Sequence, residues 1–293
     1  MRTRFGAVLP QNELGRSTAD VVAFAREVDR LGFDHLLAYD HVLGADRTIH
    51  DSLSGPYGID DAFREPFVLF GYLAGITELG FATAILIAPQ RPTALIAKQA
   101  AELDLLSEGR LRLGCGIGWN PVEYEALGQS FAGRGERLSE QIAVLRALWT
   151  EDQVTAEVGD ERIVAAGLLP LPSQRPIPIW IGAMAPAALR RVGRLADGWF
   201  PMTLPGHGLE EGWALITQAA DEAGRDSSAL GMEGQVPAIR GDVERSVTLI
   251  ERWIDAGATH LSLSTLNQGL SGLDEHLEAL AHVAEVLSLT PRS

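Results

Sequence analysis

The 293-residue sequence predicts a (β/α)8 barrel. First, about eight short apolar segments alternate with about eight amphipathic segments of helical period. Second, residues 80–128 contain an apolar run, a helix and another apolar run in succession, a unit typical of parallel sheets. Third, no GxGxxG motif follows the first strand, which disfavours the competing doubly wound open sheet.

The elements can be justified in chain order. The predicted strands are short apolar runs that end at glycine, proline or polar residues. They are residues 5–10, 34–38, 81–88, 111–115, 179–181, 198–201, 230–236 and 259–265. The predicted helices repeat apolar residues every three or four positions, and several end at a glycine. They are residues 18–31, 65–78, 93–107, 120–127, 134–149, 186–195, 209–223, 242–256 and 274–287.

Two segments interrupt the alternation. Residues 42–64 combine glycines and charges with weak periodicity, and a loop of this length in a compact domain is usually functional. We therefore predict a lid over the carboxyl ends of the strands. Residues 152–168 alternate weakly around Gly159-Asp160, which predicts a β-hairpin outside the barrel. Residues 1–293 are thus expected to form one barrel domain with two insertions.

Composition limits the partners and the location. With 24 basic and 39 acidic residues the net charge is −15, so no nucleic-acid partner is expected. Cys115 is the single cysteine and is expected in the core, which excludes a disulfide framework and a cysteine-based zinc site. No metal site is predicted. The apolar runs are too short for a bilayer, and no signal-peptide pattern is present. We expect a cytoplasmic protein without a membrane partner.

The loops after the second and third strands carry candidate site residues, because barrel active sites lie at the carboxyl ends of strands. Asp40 and His41 follow the second strand, and an imidazole there can exchange protons near neutral pH. His41 is therefore the predicted catalytic residue; the alternative is a histidine that caps a helix or bonds to backbone. Small residues near the end of the third strand, at 83–89, would let a flat ring approach the backbone. Their alternative role is plain barrel core.

A glycine turn follows the fourth strand. Gly116 and Gly118 allow close backbone approach, Trp119 could stack on a ring, and the helix after Asn120 offers free N–H groups. A tight loop without a ligand is the alternative.

Another small-residue turn precedes the helix at 186–195. Its backbone N–H groups and the helix dipole would cradle a phosphate. The residues are Gly182, Ala183, Met184 and Ala185.

Several motifs, spaced in order over nearly the whole chain, support a family resemblance. They are Asp40-His41, APQRP at 88–92, AKQ at 97–99, LDLLSEGR at 103–110, LGCGIGW at 113–119, EYEALG at 123–128, PIWIG at 178–182 and ADGW at 196–199. With these motifs the chain resembles the luciferase-like monooxygenase superfamily, and within it the coenzyme F420-dependent oxidoreductases. Asp104 and Arg110 match the same pattern and are expected to form a scaffold salt bridge.

The resemblance implies a bacterial luciferase-like barrel that binds a flavin or 5-deazaflavin at its carboxyl face. It implies a cis peptide at Ala84–Ile85 behind the ring and a phosphate loop at 182–185 that binds mainly through its backbone. His41 falls where the sugar-phosphate dehydrogenase branch has a catalytic histidine. Trp119 replaces that branch's acidic proton donor, so the chain is not expected to be a glucose-6-phosphate dehydrogenase. His41 ranks first as proton source, before Glu123, Tyr124, solvent or a reaction that needs no proton transfer.

Three functions stay open. The first is an F420-dependent oxidoreductase that transfers a hydride between the deazaflavin C5 and a small organic substrate. The second is an FMN-dependent monooxygenase that uses O₂ and a separate reductase to regenerate the reduced cofactor. The third is a non-catalytic flavin-binding barrel. The resemblance also implies a homodimer.

Overall fold

The computed structural model describes residues 2–292. Its strands are Arg4–Val8 (β1), His35–Ala38 (β2), Gly80–Thr83 (β3), Leu86–Ile87 (β4), Leu111–Gly116 (β5), Val154–Val158 (β6), Glu161–Ala166 (β7), Ile179–Ala183 (β8), Gly198–Pro201 (β9), Gly231–Pro237 (β10) and His260–Ser264 (β11). The main sheet runs β3-β2-β1-β11-β10-β9-β8-β5-β4, and pairing of β3 with β5 closes it. All its ladders are parallel. The predicted (β/α)8 barrel is confirmed.

The α-helices lie close to their predicted positions. They are Thr18–Arg30 (α1), Pro66–Ala74 (α2), Thr93–Leu106 (α3), Pro121–Ala126 (α4), Arg134–Thr150 (α5), Pro186–Leu195 (α6), His207–Glu222 (α7), Val243–Asp255 (α8) and Leu273–Val286 (α9). Local chemistry explains the start of α1, where the Ser17 side chain accepts a hydrogen bond from the Asp20 N–H (3.1 Å). The main core lies between these helices and the barrel.

The third barrel strand differs from the continuous run predicted at 81–88. It is divided into β3 and β4, and the peptide bond between Ala84 and Ile85 is cis, as the resemblance implied. The Ala84 N–H still donates to the Ala38 carbonyl (2.9 Å), but the ladder to β5 is interrupted there. A hydrophobicity pattern carries no signal for this break, because apolar residues continue through it.

Two further structural details concern the outside of the barrel. Strands β6 and β7 form an antiparallel hairpin, and Thr93 donates to the Glu161 carboxylate (2.6 Å), which attaches the hairpin to α3. The prediction of a salt bridge between Asp104 and Arg110 is wrong. Asp104 accepts hydrogen bonds from Gln174, whereas Arg110 donates to backbone carbonyls, including that of Thr77 (3.1 Å).

A buried polar cluster fills the amino-terminal end of the barrel interior. Glu233 accepts hydrogen bonds from His35 (2.7 Å), Arg112 (2.7 Å) and Ser262. Burial opposes the charge on Glu233, but Arg112 and His35 outweigh burial and hold the pKa of Glu233 well below its usual range. Burial, reinforced by the Arg112 charge, lowers the pKa of His260 to about 3. The cluster therefore combines an ionised glutamate with neutral histidines.

These histidines predict a pH dependence of stability. Burial lowers the pKa values of His35, His260 and His276, whereas an unfolded histidine binds its proton near pH 6.5. Below about pH 6.5 the unfolded chain thus binds more protons than the folded one, so stability falls as pH falls toward the folded pKa values. The urea midpoint of the wild type should therefore decrease between pH 7 and pH 5, and His260→Gln should make this decrease smaller. His282→Gln, at an exposed position, should leave the decrease unchanged. A wild-type midpoint that does not depend on pH would contradict the expectation.

Candidate active site

His41 lies at the barrel mouth, directly after β2, and its ring contacts a carboxylate from a different βα unit. Its Nδ1 is 3.3 Å from Oε2 of Glu123, and the side chain of His41 is 9% exposed. Glu123 belongs to α4, which follows β5. Among residues 2–292, no protein atom hydrogen-bonds to Nε2 of His41. That nitrogen is available to a ligand.

Glu123 is oriented by the start of α4. Asn120 caps this helix, and its Oδ1 accepts hydrogen bonds from the Val122 N–H (3.0 Å) and the Glu123 N–H (3.4 Å). Oε1 of Glu123 accepts the N–H groups of Val42 and Leu43. Burial opposes ionisation, but the contact with His41 and the hydrogen bond from the Val42 N–H hold the pKa of Glu123 below its ordinary value. The side-chain oxygen of Asn120 is therefore occupied by hydrogen bonds from the protein backbone. The predicted contact of Asn120 with a cofactor stays a prediction.

Asp40 also has protein partners for both carboxylate oxygens. Oδ2 accepts the Ile87 N–H (3.0 Å), and Oδ1 accepts from Arg91 (3.0 Å). Burial raises the pKa of Asp40, while Arg91 opposes that shift. Asp40 thus attaches β4 and the turn after it to β2, next to the cis peptide. Its predicted role in cofactor binding remains a prediction.

Aromatic side chains surround the His41 ring. Tyr57 and Phe63, from the 42–64 segment, lie edge-on to it with ring centroids 5.5 and 4.8 Å away, and Trp119 lies at 5.6 Å. A Cβ at Gly55 would lie 2.1 Å from the Trp119 ring, so the backbone of the segment rests directly on this indole. The 42–64 segment therefore covers His41, and Trp119 forms part of the same wall.

Ile85, the second residue of the cis peptide, packs against two of the predicted site glycines, Gly116 and Gly182. A Cβ at Gly116 would be 2.2 Å from Cδ1 of Ile85, and one at Gly182 would be 3.2 Å from its Cγ2. Gly118 has a positive φ of 62° and packs against Ile87. The structure thus brings the ends of three strands together around Ile85, and the two glycines provide the space for it.

The small-residue turn after β8 leads directly into α6. Ala185 is the N-cap residue and supplies no side-chain cap, and Pro186 occupies the first turn. The first-turn N–H groups are therefore left without a side-chain acceptor. Trp199 donates from Nε1 to the Ala183 carbonyl (2.9 Å), which holds the turn against β9, whereas Met184 is 67% exposed. The turn can offer backbone donors to an anion.

Sequence reasoning missed part of this site. Tyr57 and Phe63 were not predicted, although they are the two Phe, Tyr or Trp residues of the 42–64 segment and could have been noticed for that reason. From the sequence, Glu123 is predicted only as an alternative proton source. One cavity, of about 430 Å³, lies outside the barrel against α3, α5 and β7, and no predicted site residue lines it. Within residues 2–292, no helix is long and apolar enough to cross a membrane, and no cluster of three metal-binding side chains occurs.

The fold and its mouth define a (β/α)8 barrel of the kind that binds ligands at its strand ends. The chain belongs to the luciferase-like monooxygenase family, whose model matches residues 3–276. Members of this family are oxidoreductases and monooxygenases that depend on F420 or a flavin.

Individual proteins are similar to this chain in sequence or in fold. An uncharacterised protein of Mycobacterium tuberculosis is 36% identical over 197 residues, which cover 61% of this chain and 68% of the relative. An F420-dependent secondary alcohol dehydrogenase has a TM-score of 0.79 at 18% identity and covers 99% of this chain and 100% of its own. An EDTA monooxygenase from Chelativorans sp. BNC1 has a TM-score of 0.77 at 14% identity and covers 98% and 94%, respectively. At these identities the two structures show similarity of fold.

Proposed function

We propose that the protein is an F420-dependent oxidoreductase that acts on a small organic substrate at the barrel mouth. The observation that carries this proposal is one mouth with three complementary features. A free imidazole nitrogen of His41 lies beside aromatic rings, the Ile85 side chain packs against Gly116 and Gly182, and the start of α6 offers backbone donors. These features suit a proton exchange, a planar ring and a phosphate, respectively.

The donor set fits a phosphorylated deazaflavin. The open first turn of α6 and the backbone of 182–185 would hold the phosphate, as anions bind at helix N-termini. Ala84 and Ile85 would lie behind the ring, with Gly116 and Gly182 keeping the backbone close. When bound, F420 supplies two-electron hydride chemistry at its C5.

The chain's own residues have the remaining tasks. His41 would move a proton through Nε2, because its Nδ1 is engaged with Glu123. Trp119 and the aromatic residues of the 42–64 segment would exclude water and contact the apolar part of the substrate. The similar fold of the F420-dependent alcohol dehydrogenase supports this choice of cofactor by analogy.

The second candidate is an FMN-dependent monooxygenase supplied by a separate reductase. The fold shared with the EDTA monooxygenase favours it, and FMN also carries a phosphate suited to α6. The two candidates differ in oxygen use, because reduced flavin reacts readily with O₂ whereas reduced deazaflavin does not.

Titration of the purified protein with F420 and with FMN, followed by fluorescence, distinguishes the candidates. We expect saturable F420 binding and weaker FMN binding. Ala185→Asp should weaken binding of either cofactor, because it introduces a negative charge and a side-chain cap at the α6 start. Sub-micromolar FMN binding without F420 binding would overturn the proposal in favour of the monooxygenase.

A further inference from the structure

We infer that Glu123 is a positioning residue that sets the tautomer of His41 and anchors the first residues of the 42–64 segment. The catalytic consequence rests on the proposed function, whereas the tautomer and the anchoring do not. Glu123 reaches His41 across 82 positions of sequence, from the helix after β5 to the loop after β2.

The two oxygens of Glu123 have different partners. Oε2 faces Nδ1 of His41 at 3.3 Å, while Oε1 accepts the N–H of Val42 and that of Leu43 (3.2 Å). The Glu123 side chain is 0% exposed, so water does not compete for these contacts. Asn120 fixes the first turn of α4 and thereby the position of this carboxylate.

This arrangement determines which imidazole nitrogen carries the proton. An ionised carboxylate is an acceptor only, and the pKa of Glu123 is held below its usual value by its contacts despite burial. Nδ1 of His41 must therefore be the donor, which leaves the Nε2 lone pair to accept a proton. The Glu123 side chain itself is fully buried, so it is not accessible to a ligand at the mouth. Its role is thus to orient His41 and not to supply the proton.

The same carboxylate joins the histidine to the covering segment. His41, Val42 and Leu43 are consecutive, and all three share one acceptor group. The other end of the segment returns to the ring through Tyr57 and Phe63, whose centroids lie 5.5 and 4.8 Å from that of His41. Loss of the carboxylate should therefore affect the imidazole and the mobility of residues 42–64 together.

Glu123→Gln tests the tautomer without cofactor or substrate. A glutamine side chain has one acceptor end and one donor end, so it cannot accept from both the backbone N–H groups and the imidazole. If its oxygen keeps the Val42 and Leu43 bonds, its NH₂ group faces His41, and the imidazole must change to the Nε2–H form. The ¹⁵N spectra of histidine-labelled protein, with His41 identified through His41→Ala, should show Nδ1–H in the wild type and Nε2–H in the variant.

Glu125→Gln is the matched control, because Glu125 lies on the same helix and is exposed. Its His41 spectrum should equal that of the wild type. A wild-type Nε2–H form, or an unchanged spectrum in Glu123→Gln, would overturn the positioning role.

Hydrogen exchange tests the anchoring. In Glu123→Ala the amides of Val42 and Leu43 lose their acceptor and should exchange faster, with increased exchange across 42–64. Glu125→Ala should leave these rates unchanged. If Glu123→Ala does not fold, Glu123→Asp, which shortens the carboxylate's reach, provides the same comparison. Unchanged exchange at both amides would contradict the anchoring.

Kinetics connect the tautomer to the proposed function. Glu123→Gln should lower kcat about 100-fold, because the acceptor nitrogen of His41 becomes a donor, while F420 affinity changes little. Failure of F420 and FMN to bind, together with the expected spectra, would refute the proposed function alone. Normal F420 binding with unaltered His41 spectra would refute the positioning role alone.

Discussion

His41→Ala is expected to reduce turnover about 10²- to 10⁴-fold, the usual contribution of a positioned general acid or base. The variant removes an imidazole at the mouth whose Nδ1 is held by a buried carboxylate and whose Nε2 has no protein partner among residues 2–292. A suitable assay supplies reduced F420 with candidate carbonyl or other electron-poor substrates and follows the appearance of oxidised F420. Cofactor affinity, measured by fluorescence, should remain close to that of the wild type, because the phosphate turn lies on other strands.

The matched control for this experiment is His282→Ala, since His282 is exposed on α9. It should keep full turnover and full cofactor affinity. Unchanged turnover in His41→Ala, in an assay in which the wild type is active, would remove the catalytic role of His41. It would leave another proton source as the explanation.

Glu233→Ala is expected to lower the free energy of unfolding by about 3–5 kcal/mol, the usual cost of removing one partner of a buried ion pair. Arg112 would lose its carboxylate, and His35 and Ser262 would lose their acceptor, inside the closed barrel. Glu233→Gln keeps the volume and isolates the loss of charge. Urea unfolding at pH 7, followed by tryptophan fluorescence, measures both variants.

Glu157→Ala is the appropriate comparison, because Glu157 pairs with Arg162 at 3.3 Å on the hairpin and both side chains are largely exposed. This substitution should change the free energy of unfolding by no more than about 1 kcal/mol, as for most surface ion pairs. Equal losses in Glu233→Ala and Glu157→Ala would show that the interior cluster adds nothing beyond a surface ion pair.

Much of the barrel could be predicted because its signals are local. Each strand is a short apolar run, and each helix repeats apolar residues every three or four positions because an α-helix has about 3.6 residues per turn. Ser17 and Gly32 mark the ends of α1 for the same reason, since capping depends on immediate neighbours. The cis peptide at Ala84–Ile85 was implied by the family resemblance, whereas the hydrophobic pattern runs through the break and predicts a continuous strand.

The site was harder to predict because its contacts join distant parts of the chain. Asp40 was expected near the cofactor from its place after β2, but its oxygens bind Ile87 and Arg91, about 50 residues on. Asp104 and Arg110 match the family pattern and are expected to form a salt bridge, but Asp104 accepts from Gln174, 70 residues further along the chain, whereas Arg110 donates to backbone carbonyls.

The sequence by itself determined the barrel, the strand ends at which a site can form, and the presence there of His41, Trp119 and the turn at 182–185. Only the tertiary structure decided which groups act together. Barrel closure brings Glu123 from α4 to His41 and places Tyr57 and Phe63 on the same ring. The physical reason is that periodicity and capping arise from neighbouring residues, whereas a buried carboxylate acquires its role from partners that only closure of the sheet brings within hydrogen-bonding distance.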